Sequence, residues 1–169
     1  MMQPKNLITL LILMLSVAGL SHGIHAQSKY EVLTGDALKR IVPTSFYIAG
    51  QSAETQQRNT AAAQIGKDRF IVVGLVDTSG YSTEIQGKYE GFLITDSPVR
   101  VGGRLLGTGA YGFGFSKSGL NIFDLGSRQI LTVKVAEDAE MKRPRPLMMS
   151  SDAKGIRLYK GKLYALITK

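Results

Sequence analysis

Short runs of β-forming residues, separated at regular intervals by turn residues, dominate the sequence after its first 26 residues. Turn residues cluster at 66–68, 117–119, 126–128 and 152–155. Almost no helical period separates the runs, and strands joined by such short turns pair antiparallel. The chain is therefore predicted to be all-β, an antiparallel sandwich or flattened barrel with one short N-terminal helix.

The predicted helix covers residues 35–42. Thr34 can cap it, Asp36 suits its first turn, and Pro43 ends it. Strands are predicted at residues 46–49, 61–65, 69–77, 88–95, 99–106, 110–116, 120–125, 129–135, 147–150, 156–160 and 163–168. The run at 99–106 is broken by Gly102 and Gly103. Residues 50–59 are predicted to be a loop or a turn of helix, and residues 136–142 one helical turn. Residues 70–76 are apolar without interruption, which is typical of a central strand buried on both faces.

Residues 1–26 have the build of a secretory signal peptide. Lys5 precedes an apolar run from Leu7 to Leu20, which is shorter than the roughly 20 residues that a membrane-spanning helix needs. Cleavage is expected after Ala26, with Gly23 as the alternative site. Residues 27–169 are then a single β-rich domain, expected in the periplasm or medium with no transmembrane segment after cleavage.

The predicted exported form contains neither histidine nor cysteine. Cleavage removes Lys5 and both histidines, His22 and His25, and lowers the net charge from +8 to +7. Zinc sites built on Cys or His, Ser-His-Asp and Cys-His catalysis, iron-sulfur clusters and disulfides are thereby excluded. No metal or cofactor is expected.

Asp77 ends a predicted strand within the sequence Leu-Val-Asp-Thr-Ser-Gly. This segment resembles the aspartic-protease signature, and the resemblance implies a homodimer in which two Asp77 carboxylates share one proton. Ser79 stands where that family has glycine directly after threonine, so the tight turn that aims the carboxylate is lost. The alternative is a strand-end Asp77 that caps the turn of Thr78, Ser79 and Gly80.

The polar segment at residues 77–88 is longer than a typical hairpin loop. Binding residues often gather in such loops on a rigid scaffold, and this one can offer hydroxyl and carboxylate groups to a polar ligand. The residues singled out here are Asp77, Thr78, Ser79, Tyr81 and Glu84. An ordinary solvated loop is the alternative.

Aromatic residues alternate with glycine and alanine at residues 109–115. Tyr111, Phe113 and Phe115 should share one face of a strand, with Gly112 and Gly114 on the other. The aromatic face is expected in the core, and the glycines beneath a neighbouring layer. The alternative is an aromatic row that stacks a ligand.

Residues 142–146, Lys-Arg-Pro-Arg-Pro, form the most compact basic segment. Arg143 and Arg145 are the candidate anion contacts there. No nucleic-acid module is recognisable, so anionic polysaccharide or lipid head groups are the expected partners rather than nucleic acid. A solvated loop without a partner is the alternative.

Residues 75–82, 109–115 and 142–147, with the order of the strands, resemble those of small exported bacterial β-rich proteins that are uncharacterised. The overall prediction is an exported, non-enzymatic β-domain that binds an anionic or polar ligand or a cell-envelope component. Two alternatives are a dimeric hydrolase using Asp77 and a structural subunit of the cell envelope. Two carboxylates meeting across a two-fold axis would favour the first, and a long unpaired edge strand the second.

Overall fold

A computed structural model describes residues 30–116 and 118–169 of the chain. The predicted signal peptide and its cleavage site lie outside these residues, as does Lys117 in one predicted turn. The described residues form two antiparallel sheets and two short helices, which confirms the predicted fold class.

Fourteen strands and two helices follow one another in the described residues. They are β1 (Glu31–Leu33), α1 (Gly35–Ile41), β2 (Ser45–Ile48), β3 (Gln51–Gly66), β4 (Arg69–Val76), α2 (Thr83–Lys88), β5 (Gly91–Thr95), β6 (Val99–Val101), β7 (Arg104–Leu106), β8 (Gly109–Ser116), β9 (Gly119–Phe123), β10 (Gln129–Val133), β11 (Ala136–Glu137), β12 (Arg145–Asp152), β13 (Gly155–Gly161) and β14 (Leu163–Thr168). The first sheet has the strand order β1-β3-β4-β5-β8-β9-β10, with β2 paired to β3. The second sheet has the order β12-β13-β14-β6-β7, with β11 paired to β14.

The main core lies between the two sheets. Ile71 and Val73 of β4 and Phe113 of β8 are fully buried on the inner face of the first sheet. Ile156 and Leu158 of β13 belong to the same core from the second sheet. This interdigitation of two inward faces defines a β-sandwich.

A third layer covers the outer face of the first sheet. Helix α1 and the β2–β3 hairpin contribute Leu38, Phe46 and Ile48, which pack with Phe92 and Phe123 of the sheet. The rings of Phe46 and Phe92 stack with their centroids 4.9 Å apart. Strand β4 is therefore buried on both faces, as its uninterrupted apolar run predicts.

Two predictions of local structure are wrong. Residues 50–59 are predicted as a loop or a turn of helix, but residues 51–59 form the first part of β3, which pairs with β2 across a turn at Ala49 and Gly50. Only Ala53 and Thr55 are buried in this part of β3, and neither is a large apolar residue. The segment therefore lacks the apolar alternation that marks an ordinary strand. Residues 136–142, predicted as a helical turn, begin instead with β11, because Ala136 and Glu137 pair with Tyr164 and Leu163 of β14.

Smaller differences concern the ends of elements. Thr34 precedes α1, but its side chain makes no capping hydrogen bond. Helix α2 occupies part of the segment predicted as a polar loop, and it ends at Lys88, so β5 begins at Gly91 rather than at residue 88. The predicted break in residues 99–106 is confirmed, since Gly102 and Gly103 form a two-residue hairpin turn with φ of 55° and 80°.

Candidate ligand site at the open end of the sandwich

The sandwich opens at one end into a groove of about 660 Å³. Its lining residues come from both sheets and from the basic segment: Leu75, Phe115, Ser116, Pro144, Arg145, Pro146, Lys160, Gly161 and Leu163. The volume falls within the range of small-molecule sites, roughly 300 to 1,000 Å³. We refer to it as the mouth groove.

Strand alternation explains why these side chains meet. Phe115 follows the inward-facing Phe113 by two residues, and Lys160 follows the inward-facing Leu158 by two. Residues two apart on a strand share a face, so both side chains point between the sheets at the point where the sandwich ends. The lysine therefore occupies a position that an apolar residue fills further inside.

Lys160 forms an ion pair with Glu90, and both side chains are about one-third exposed, 34% and 27% respectively. The Glu90 carboxylate also accepts a hydrogen bond from the Phe115 backbone N–H at 2.8 Å. Burial lowers the pKa of Lys160, while the adjacent carboxylate favours its charged form. The pair therefore sets a partly desolvated ammonium group beside the groove.

Arg145 lies beside this pair because β12 pairs with β13 and places Arg145 opposite Gly161. Pro144 and Pro146 flank it and supply apolar surface to the rim of the groove. Arg145 is exposed and forms no ion pair with any residue that the structure describes. Of the two predicted anion contacts, Arg145 lines the groove and the exposed Arg143 does not.

Asp77 caps a turn. Its carboxylate accepts a hydrogen bond from the Ser79 backbone N–H at 2.9 Å, and this bond lowers the pKa of Asp77. The side chain is exposed, and Thr78 next to it is partly buried. This hydrogen bond to the backbone two residues on is the geometry of a strand-end cap.

The other side chains proposed for the polar segment also make contacts within the protein. Tyr81 donates its hydroxyl to the Ser52 carbonyl on β3. Glu84 pairs with Lys88 within α2, and the hydrogen bond from that lysine lowers the pKa of Glu84. These residues remain in one segment, and none of them lines the mouth groove.

The aromatic face of β8 belongs mainly to the core. Phe113 is fully buried, whereas Tyr111 and Phe115 are partly buried against the same cluster. Tyr111 donates its hydroxyl to the Gly107 carbonyl at 3.0 Å. Only Phe115 reaches the groove, so a row of ligand-stacking rings does not form.

Sequence reasoning did not find Lys160, Glu90 or Leu163. A usable signal exists for Lys160, because a charge follows Ile156 and Leu158 at the same two-residue interval. Glu90 precedes β5 and gives no such signal, since its meeting with Lys160 depends on how the sheets stack.

Within the described residues, no group of three or more Asp, Glu, His or Cys side chains is arranged to hold a metal ion. None of the described helices is long and apolar enough to cross a membrane. Comparison with known proteins finds no matching family model, no matching curated protein and no matching solved structure.

Proposed function

We propose that the chain is an exported, non-enzymatic β-domain that binds an anionic amphiphile, such as a long-chain carboxylate, in the mouth groove. The observation that carries this proposal is the position of Lys160, a half-buried cation at the end of an otherwise apolar space between two sheets. Beside it, Arg145 adds a charge that no described carboxylate neutralises.

The lining of the groove favours a lipid over a polysaccharide. Leu75 and Phe115 present partly buried apolar surface to the groove, and the exposed Leu163, Pro144 and Pro146 add to it. Each methylene group buried against such surface contributes about 0.8 kcal/mol. A sugar polymer instead needs rows of hydrogen-bonding groups, which this lining does not supply.

Charge at the groove favours an anionic head group. Lys160 and Arg145 carry two positive charges against the single negative charge of Glu90. A ligand carboxylate can pair with Arg145 and share Lys160 with Glu90, and such charge-assisted hydrogen bonds are the stronger ones in proteins. The apolar tail then lies along Leu75, Phe115 and Leu163, and the head group lies against Arg145 and Lys160.

The two alternative functions draw less support. The hydrolase needs a tight turn that aims the Asp77 carboxylate, whereas Asp77 here accepts the Ser79 backbone N–H and caps the turn. The structural subunit needs a long open edge strand. Among the described strands, β12 is the longest one at the edge of a sheet. It lies against β1 and β3, and its second residue is a proline, which cannot donate a backbone hydrogen bond.

Calorimetric titration with dodecanoate and with dodecanol tests the proposal. Arg145→Ala is expected to weaken dodecanoate binding by about fivefold to tenfold and to leave dodecanol binding unchanged. Leu163→Gln should weaken both ligands, because that residue would contact the tail. Arg143→Ala is the matched control, since Arg143 is a neighbouring exposed arginine outside the lining. Equal losses for Arg143→Ala and Arg145→Ala, or no binding of dodecanoate, would contradict the proposal.

Export itself is tested by the intact mass of protein recovered outside the cytoplasm. We expect a chain that begins at or within three residues of Gln27, as the small residues before that point require. A mass that still includes the apolar run from Leu7 to Leu20 would indicate a membrane-tethered protein.

A further inference from the structure

A second, separate cavity of about 300 Å³ lies on the second sheet, near the β6–β7 turn. It shares no lining residue with the mouth groove. Three of its lining side chains are cationic and the others are small, apolar or aromatic: Gly102, Lys134, Ala136, Lys154, Arg157, Tyr164 and Leu166. We refer to it as the basic cavity.

Arg157 is held in a fixed orientation in this cavity. One terminal nitrogen of the guanidinium lies 2.8 Å from an Asp152 carboxylate oxygen, and the other donates to the Tyr159 hydroxyl at 3.4 Å. The guanidinium carbon lies 5.1 Å from the ring centroid of Tyr164. Two of the five N–H donors are engaged in this way, so a preorganised arginine retains donors for a ligand.

Asp152 neutralises only part of the positive charge of the cavity. One of its carboxylate oxygens accepts the backbone N–H groups of Lys154 and Gly155, at 2.7 and 3.2 Å, and the other pairs with Arg157. Lys134 and Lys154 are exposed and enter no ion pair among the described residues. A second carboxylate, Asp138, accepts the Tyr159 hydroxyl at 2.9 Å. Three cations against these two anions leave the cavity with a charge of about +1.

We propose that the basic cavity binds the phosphate group of a phosphomonoester or inorganic phosphate. A planar guanidinium suits two oxygens of a tetrahedral oxyanion, and two flexible lysine amines can approach the remaining oxygens. The half-buried, stacked arginine distinguishes this cavity from a patch of solvated lysines. The proposal is independent of the amphiphile site, because the two sites use different residues.

The experiment is a titration of the purified protein at low ionic strength with inorganic phosphate, glycerol 3-phosphate and chloride, followed by calorimetry and phosphorus NMR. We expect both phosphates to bind and chloride not to compete at equal concentration. If glycerol 3-phosphate binds more tightly than inorganic phosphate, the ligand is a phosphomonoester such as a lipid head group. If the two bind equally, the ligand is free phosphate.

Variants separate a specific site from general charge. Lys134→Met combined with Lys154→Met is expected to weaken phosphate binding at least tenfold, and both side chains are exposed, so the fold should persist. Arg157→Lys should weaken it by a similar factor while retaining the charge. Lys67→Met removes an exposed lysine in the β3–β4 turn and should not change phosphate binding.

Phosphate binding that is absent, or that responds equally to Lys67→Met and to the double variant, would overturn the proposal. Dodecanoate binding should be unaffected by these variants, so failure here is distinguishable from failure of the mouth-groove proposal.

Discussion

The ring of Tyr89 lies directly over Gly112, so that a Cβ added to Gly112 would stand 2.5 Å from the Cδ1 and Cε1 atoms of that ring. Tyr89 is buried and packs at 5.0 Å between ring centroids with Phe123. The outer layer of the protein therefore needs a residue without a side chain at this position of β8. This contact fits the expectation that Gly112 lies beneath a neighbouring layer.

Gly112→Val should destabilise the fold by about 1 to 3 kcal/mol, because the added atoms overpack the space beneath Tyr89. Gly87→Ala is the matched control: nothing lies within 4 Å of its added Cβ, and it sits in α2. There alanine should stabilise by about 0.5 to 1 kcal/mol. Urea unfolding measures both, and a Gly112→Val variant as stable as the parent would refute the close packing.

Phe113→Ala should destabilise by about 3 to 5 kcal/mol, through lost burial and an unfilled cavity between the sheets. Phe115→Ala, two residues further along the same face, should cost less than half as much because Phe115 is only partly buried at the groove. It should instead weaken dodecanoate binding. Thermal melts compare the stabilities of the two variants. A larger loss for Phe115→Ala than for Phe113→Ala would contradict the assignment of Phe113 to the core and Phe115 to the groove.

The hydroxyl of Tyr89 is buried and makes no hydrogen bond to any described residue. Tyr89→Phe should therefore be neutral or stabilise the fold by about 1 kcal/mol, since a desolvated polar group is removed. Tyr159→Phe is the contrasting variant, because its hydroxyl donates to Asp138 at 2.9 Å, and it should cost about 1 kcal/mol. Chemical denaturation that finds equal losses for both would show that the Tyr89 hydroxyl is satisfied.

Stability should be nearly constant between about pH 5.5 and 7, because residues 27–169 contain no histidine or cysteine. Below that range it should fall. Backbone hydrogen bonds lower the pKa of Asp124 and Asp152 in the folded state. Their stabilisation is therefore complete above the unfolded pKa of about 3.9 and is lost as pH falls through the lower folded value.

Denaturant melts from pH 3 to pH 8 measure this profile. Asp124→Asn should make the acid decline shallower, because it removes one of the groups that the folded state holds ionised. An inflection near pH 6 would contradict the account and would indicate a carboxyl with a strongly raised pKa.

Much of the fold follows from local patterns in the sequence. The apolar residues of Arg69–Val76 and the alternating burial of Leu163–Thr168 mark these two strands, and the glycines at 102 and 103 are a typical hairpin signal. The first part of β3 was missed because only Ala53 and Thr55 are buried among its polar residues, so its strand character depends on pairing with β2.

The site was less accessible to prediction than the fold. Arg145 stands out by charge alone, within a basic segment. Lys160, Glu90 and Leu75 are far apart in the chain, and they meet only because the two sheets end at the same place. No local pattern encodes that coincidence, since the stacking of sheets is decided by the whole core.

The most direct test of the mouth-groove account is a map of backbone amide chemical shifts of the protein during titration with dodecanoate. The account predicts that the largest shifts fall at Leu75, Phe115, Lys160, Gly161 and Leu163, with those of the basic cavity unchanged. Shifts centred instead on residues 77–84, or an absence of saturable shifts, would contradict it.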